Sequence, residues 1–278
     1  MQRITFIGGG NMARSLIGGL VKSGEDAAHI HVADPSAESR AGLEREFGVT
    51  THDDNGEAIR DADTVVLAVK PQVLAAVCRD LGATLVDSGA LVVSIAAGIR
   101  TDQITAWLGA DAPVVRVMPN TPALIGAGAN GLFATGGVSD AQRTEAERIL
   151  SASGICEWVD DEALMDTVTG ISGSAPAYFF LMVEALEDAA AARGVDRESA
   201  RRLAAQTCLG AGRMMMESGE PPAELRRRVT SPNGTTQAAL DSFAADDLRA
   251  IVDRAVDAAR RRGAELAAAN DDAGEPGR

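Results

Sequence analysis

A chain of 278 residues is long enough for two domains with separate cores, and an apolar content of 46% suits a globular protein. Asp and Glu outnumber Lys and Arg by 40 to 26, and the resulting net charge of −14 argues against a nucleic-acid or anionic-membrane surface. Cys78, Cys156 and Cys208 lie far apart, and His29, His31 and His52 join no Cys/His cluster. That argues against a disulfide framework and a metal site, and it fits a reducing compartment.

The N-terminus reads as a strand, not as a signal peptide, and no apolar run reaches the roughly 18 residues needed to span a bilayer. A cytoplasmic location with no membrane partner is the expectation. The apolar run Ile4–Ile7 breaks into Gly8-Gly9-Gly10-Asn11-Met12-Ala13, a Gly-x-Gly-x-x-Ala pattern, and helical spacing starts at once. Gly8 permits a tight strand-to-helix turn, Gly10 has no Cβ to block a phosphate, and Ala13 lets helix and strand pack closely. Free N–H groups at the helix start then face a dinucleotide pyrophosphate. The bland alternative is a plain tight turn, and the position directly after a strand favours the dinucleotide.

Strand-like runs follow at Ile30–Ala33, 64–69, 91–95 and Val114–Met118, separated by segments of helical periodicity. This alternation predicts an α/β Rossmann domain with a mostly parallel, doubly wound sheet covered on both faces. Runs at 131–135 and 154–159, flanking a helix at 139–153, extend the sheet and complete the first domain near residue 160. Asp34, at the end of the second run, is placed to accept hydrogen bonds from an adenine ribose, which favours NAD. Ser36 with Arg40 could instead hold the extra phosphate of NADP if Asp34 turns away, and a helix-capping Asp34 is equally natural. The run at 64–69 leads into Ala68-Val69-Lys70-Pro71 and the next into Ala96-Ala97-Gly98, at the strand ends where ligands of open α/β sheets bind. Lys70 reaches a ribose or phosphate there, or is a solvated surface lysine. Arg116-Val-Met-Pro-Asn-Thr-Pro122 makes a stiff loop at the same edge, for which a rigid turn is an adequate reading.

Residues 161–268 show no strand and read as an all-α domain. A helix at 174–193 carries Tyr178, Met182, Ala185 and Ala189 along one stripe. Asp196 caps a helix running to 217, and Asp246 a last one to about 268. The chain has 6 Phe, 2 Trp and 1 Tyr, so Ala, Leu and Met must pack these helices, and a second subunit is expected over their apolar faces. The tail at 269–278 has a disordered composition. Two Gly/Ser/Thr clusters, at 170–178 and 230–237, each precede a helix. In the second, Gly234, Thr235 and Thr236 offer backbone N–H groups and hydroxyls suited to a small carboxylate, although ordinary Ser/Thr capping is the plain alternative.

There is no Ser/His/Asp constellation and no paired-carboxylate dyad, so the chemistry belongs to the coenzyme, which for a nicotinamide means hydride transfer. An electrophilic iminium accepts hydride with little help, whereas a ketone would need a general acid.

Phe6-Ile-Gly-Gly-Gly-Asn-Met-Ala13, Ala68-Val-Lys-Pro-Gln72, Val93-Ser-Ile-Ala-Ala-Gly98, Arg116-Val-Met-Pro-Asn-Thr-Pro122, Val168-Thr-Gly-Ile-Ser-Gly-Ser-Ala-Pro-Ala-Tyr178 and Arg228-Val-Thr-Ser-Pro-Asn-Gly-Thr-Thr236 resemble, in order, the motifs of pyrroline-5-carboxylate reductases. The likeness runs to about Leu266, and the last two motifs are the most specific. It implies NADPH- or NADH-dependent reduction of the cyclic imine Δ1-pyrroline-5-carboxylate to L-proline, the last step of proline synthesis. It also implies that Ile7, Gly8, Gly9, Gly10, Asn11 and Met12 bind pyrophosphate and Asn55 the adenosine end. Ala68, Val69, Lys70 and Pro71, with Ala96 and Ala97, would bind the nicotinamide side. Gly234, Thr235 and Thr236 would hold the substrate carboxylate, the Thr236 hydroxyl lying near the ring nitrogen, and Glu162 would lie beside the substrate. Arg228 would sit close to the coenzyme, at a position whose identity varies among relatives. A homodimer through the helical domain, possibly built into a decamer, is implied too. Ala175 departs from the Gly usual before Pro-Ala-Tyr, which puts the pocket's width or the turn in question.

Two other readings compete. A β-hydroxyacid dehydrogenase would need a second-domain Lys, and residues 123–278 contain none. A nucleotide-binding regulatory protein would bind coenzyme without consuming it.

Overall fold

The computed structural model describes residues 2–109 and 111–270. Its strands are β1 (Ile4–Ile7), β2 (Ile30–Ala33), β3 (Thr50–His52), β4 (Thr64–Leu67), β5 (Leu91–Ser94), β6 (Val114–Met118), β7 (Gly128–Ala134) and β8 (Gly154–Trp158). They form one sheet of 8 strands in the order β3-β2-β1-β4-β5-β6-β7-β8. All neighbours are parallel except β6 and β7.

The helices interleaved with these strands are α1 (Asn11–Lys22), α2 (Ala37–Phe47), α3 (Asn55–Ala58), α4 (Pro71–Ser88), α5 (Thr101–Leu108) and α6 (Asp140–Ser151). Burial on both faces explains why β1, β4 and β5 are nearly continuous apolar runs, broken only by the buried Thr5, Thr64 and Ser94. Side-chain alternation splits the central strands between two cores. Ile4, Phe6, Val66, Val93, Val115 and Val117 join one with Leu16, Ile17 and Ile149. Ile7, Val65, Leu67, Val92 and Val114 join the other with Leu74, Leu81 and Ile104.

After β8 come a 3₁₀ turn (Glu162–Leu164), α7 (Met165–Val168), a π-helical turn (Thr169–Gly173), α8 (Ala175–Ala191), α9 (Arg197–Ser218), α10 (Pro222–Arg228), α11 (Thr235–Ala245) and α12 (Leu248–Ala269). The chain divides into two compact units, residues 1–173 with 258–278 and residues 174–257. By its contacts the helical unit thus begins at 174, past the domain start expected at 161. The turns at 162–173 pack with the sheet, as when Asn120 Nδ2 donates to the Ser172 carbonyl at 3.1 Å. The end of α12 also belongs to the first unit, where Gln103 Nε2 donates to the Ala267 carbonyl at 3.1 Å.

Three expectations are corrected. β3 is a strand where none is expected. The runs at 64–69 and 91–95 stop as strands at Leu67 and Ser94, before their loops. Asp246 does not cap the last helix but is the C-cap of α11, and Asp247, at φ 50°, turns the chain into α12. Asp196 does cap α9, accepting from Ser199 N at 3.0 Å. Of the tail expected to be disordered, residues 271–278 lie outside the described residues, while Ala269 closes α12.

In the second unit α8 and α9 pair, and Glu187, buried on α8, binds Arg197 and Arg201 of α9 at 2.9 Å each. Yet Phe179, Phe180, Leu181 and Met182 are consecutive and all exposed, and Leu203, Leu209 and Met214–Met216 are exposed on α9. A helix apolar all round is made to be surrounded, and one neighbouring helix cannot do that. Met182 of the expected stripe is among the exposed residues.

Candidate active site

Coenzyme residues expected from the sequence gather at the C-terminal ends of neighbouring strands of the first unit. Ile7 ends β1, Gly8–Gly10 form the turn, and Asn11 and Met12 open α1. Asp34 and Ser36 follow β2, and Asn55 opens α3 just after β3. Ala68–Pro71 join β4 to α4, while Ala96 and Ala97 join β5 to α5. The order β3-β2-β1-β4-β5 sets these five turns side by side, around the point between β1 and β4 where the sheet's winding reverses.

Gly8, at φ +101°, lies so close to the next turn that a Cβ would stand 2.9 Å from the Ala68 carbonyl oxygen. Gly10 is the opposite case: a Cβ there would meet nothing within 4 Å. The chain therefore needs glycine at Gly8 for its own packing and leaves space at Gly10 for something else. Gly10 is the N-cap of α1, with no side-chain cap and no acidic residue in the first turn, so its amides and dipole are available to an anion. These residues fit a dinucleotide pyrophosphate.

Asp34 sends one carboxylate oxygen to Gly9 N and the other to Ser36 N, both at 2.8 Å. It does not cap α2. Ser36 does, accepting from Ser39 N at 3.2 Å. Arg40 donates to the Asp34 carbonyl at 2.7 Å, which keeps a cation beside this turn. Lys70 is exposed at the N-cap of α4, and Pro71 occupies the helix's first turn.

Glu162 lies in the turn after β8 and is tied to two elements of the first unit. Its Oε1 accepts from Thr101 N at 2.8 Å and from Arg116 at 3.0 Å, and its Oε2 accepts from Thr101 Oγ1 at 2.6 Å. Arg116 sits mid-strand in β6 with its side chain 6% exposed and also approaches Asp166 at 3.7 Å. A buried guanidinium in a valine-rich strand requires such partners. The one sign of this role in the sequence is an Arg inside the apolar run Val114–Met118.

In the second unit Gly234 is the N-cap of α11 and no side chain caps this helix. Ordinary capping by Thr235 or Thr236 is thus excluded, and the helix start offers its amides as α1 does. Asn233, at φ 58°, turns the chain into it, Thr236 is half-buried, and Thr235 is exposed. Arg228, at the end of α10, pairs with Glu220 at 2.7 Å and Glu224 at 3.3 Å. Ala175 is a buried first residue of α8 with no positive φ, so its methyl costs the turn nothing.

Sequence comparison matches residues 162–266 to the family described as pyrroline-5-carboxylate reductase dimerisation. Residues 3–98 match one described as NADP oxidoreductase, coenzyme F420-dependent. A pyrroline-5-carboxylate reductase of Pseudomonas aeruginosa is 55% identical over 265 residues, covering 95% of this chain and 97% of the relative. A solved pyrroline-5-carboxylate reductase from Coxiella burnetii superposes with a TM-score of 0.93 at 43% identity, covering 95% and 98% of the two chains. A Plasmodium falciparum pyrroline carboxylate reductase with NADP bound gives 0.82 at 28% identity, covering 96% and 98%.

Proposed function

We propose the chemistry on one premise: the chain belongs to the pyrroline-5-carboxylate reductase family. It reduces the C=N bond of Δ1-pyrroline-5-carboxylate to give L-proline, the last step of proline synthesis, and it works in the cytoplasm. The nicotinamide of NADPH or NADH supplies the hydride. The first unit holds the coenzyme: Ile7 to Met12 on the pyrophosphate, Asp34, Ser36 and Asn55 at the adenosine end, Ala68 to Pro71 with Ala96 and Ala97 at the ring side. Gly234, Thr235 and Thr236 grip the substrate carboxylate with the uncapped amides of α11. The Thr236 hydroxyl lies near the ring nitrogen, where it holds the proton that accompanies reduction.

The observation that carries this reading is the pair of glycine-started helices. α2, α6 and α9 are closed by Ser36, Ser139 and Asp196; α4, α8 and α10 lack a side-chain cap but start on Lys70, Ser174 and Pro221, whereas α1 and α11 start uncapped on glycine. Asp34 is already held by Gly9 and Ser36, and Arg40 stays beside Ser36, an arrangement that accommodates the extra phosphate of NADPH. NADPH is accordingly the preferred coenzyme, which steady-state rates with both coenzymes test. Homodimers form through the helical unit and assemble into decamers.

The deciding experiment follows coenzyme absorbance with Δ1-pyrroline-5-carboxylate added. Turnover consumes the signal. Binding of NADPH with no consumption would replace the enzyme by a nucleotide-binding regulator.

A further inference from the structure

We propose that Arg116, through Glu162 and Thr101, is a positioning residue for the coenzyme's ring side. The inference rests on the coenzyme reading above.

The loop in question, residues 95–100, joins β5 to α5 and carries Ala96 and Ala97. A loop whose backbone forms one wall of a binding site needs its far end fixed, or its ordering is charged against each binding event. Thr101, the first residue of α5, is that far end. Glu162 grips it twice, through the amide and through the hydroxyl, at 2.8 and 2.6 Å. A carboxylate on the first amide of a helix also meets the positive end of its dipole. Arg116 fixes the carboxylate at 3.0 Å, and its own placement is set by β6, where it is paired with Ser94, the last residue of β5. The strand that launches the loop and the arginine that anchors its end are thus neighbours in the sheet.

A second tie acts on the same helix start. Gln103 Oε1 accepts from Arg100 N at 2.8 Å while Gln103 Nε2 reaches the Ala267 carbonyl at 3.1 Å. Glu162 has three of its roughly four acceptor positions committed to protein donors, which is an anchor's pattern.

The test uses the full-length protein and four variants, Arg116→Met, Glu162→Gln, Thr101→Val and Thr101→Ser. It measures NADPH binding by fluorescence with no substrate present, then the substrate KM at saturating coenzyme. Positioning predicts that Met, Gln and Val each weaken NADPH by about tenfold, or ~1.4 kcal/mol. It also predicts that the substrate KM of the Arg116→Met and Thr101→Val variants stays within about twofold of wild type and that Thr101→Ser restores binding. A purely structural role would lower melting temperature without separating coenzyme Kd from substrate KM. If Arg116→Met fails to fold, the Val and Ser pair at Thr101 decides the matter. Wild-type NADPH affinity in Thr101→Val, or a substrate KM raised as much as the coenzyme Kd in Arg116→Met and Thr101→Val, overturns the proposal. Failure of the coenzyme reading looks different, because the wild type itself would then bind neither NADPH nor NADH.

Discussion

The two units of this chain solve the problem of stability in different ways. The first, with its sheet between two helical layers, contains both buried apolar clusters. The second buries only Ala175, Glu187 and Ala200 fully, and it exposes Phe180 at 67% and Met216 at 68%. A domain that size without a core cannot offset the entropy of ordering its helices, so its apolar faces are written for another copy of the chain. Homo-oligomerisation, which the dimerisation family match supports, is then part of folding and not an addition to it.

The sharpest way to break this contrast is to damage each unit by its own logic. Phe6→Ala, a fully buried side chain, should cost about 3–5 kcal/mol and lower the urea midpoint at every protein concentration. Phe180→Arg should leave the sheet intact and weaken association by about 2 kcal/mol or more, roughly thirtyfold, so that activity falls on dilution and gel filtration shows smaller species. A Phe180→Arg protein with an unchanged elution volume and concentration-independent activity would remove the distinction.

Within the first unit the two glycines of the turn should separate folding from binding. Gly8→Ala meets the Ala68 carbonyl and a positive φ, and should destabilise by about 1–3 kcal/mol. Gly10→Ala meets no protein atom, so its melting temperature should hold while NADPH affinity falls about tenfold or more. Equal melting losses in both would show that Gly10 is needed by the fold alone.

A smaller effect concerns pH. His31 stacks on His52 with ring centroids 5.2 Å apart and lies near Arg3. Burial first, then the Arg3 charge, lowers its pKa to about 4. The unfolded chain takes up this proton near pH 6.5 and the folded chain only near pH 4, so stability rises with pH across that interval. This contribution is complete above about 6.5 and lost as pH falls toward 4. His31→Asn should flatten that part of the stability profile; an identical slope in the variant would assign it to the carboxylates.

Much of this was legible in advance because the sheet is written in continuous apolar runs, and β1, β2 and β6 fall where those runs predict. β3 escaped because Thr50-Thr51-His52 has no apolar run to read and is held by pairing with β2 at the sheet's edge. The last helix start was displaced because Asp246 and Asp247 are equally good caps in sequence, and only the backbone turn at Asp247 separates them. Arg116 and Glu162 are 46 residues apart, and nothing in either segment announces that a strand and a 3₁₀ turn bring them within 3.0 Å. The glycine motif could be read from one dimension because it is local, whereas this ion pair exists only once the sheet has formed.

The central claim is that the first unit holds the coenzyme while the uncapped start of α11 holds the substrate carboxylate. Steady-state kinetics of Thr236→Ala, with NADPH binding measured on the same preparation, test it most directly. The account predicts that turnover falls about tenfold or more, while NADPH affinity and melting temperature match wild type. Undiminished turnover in that variant would contradict it.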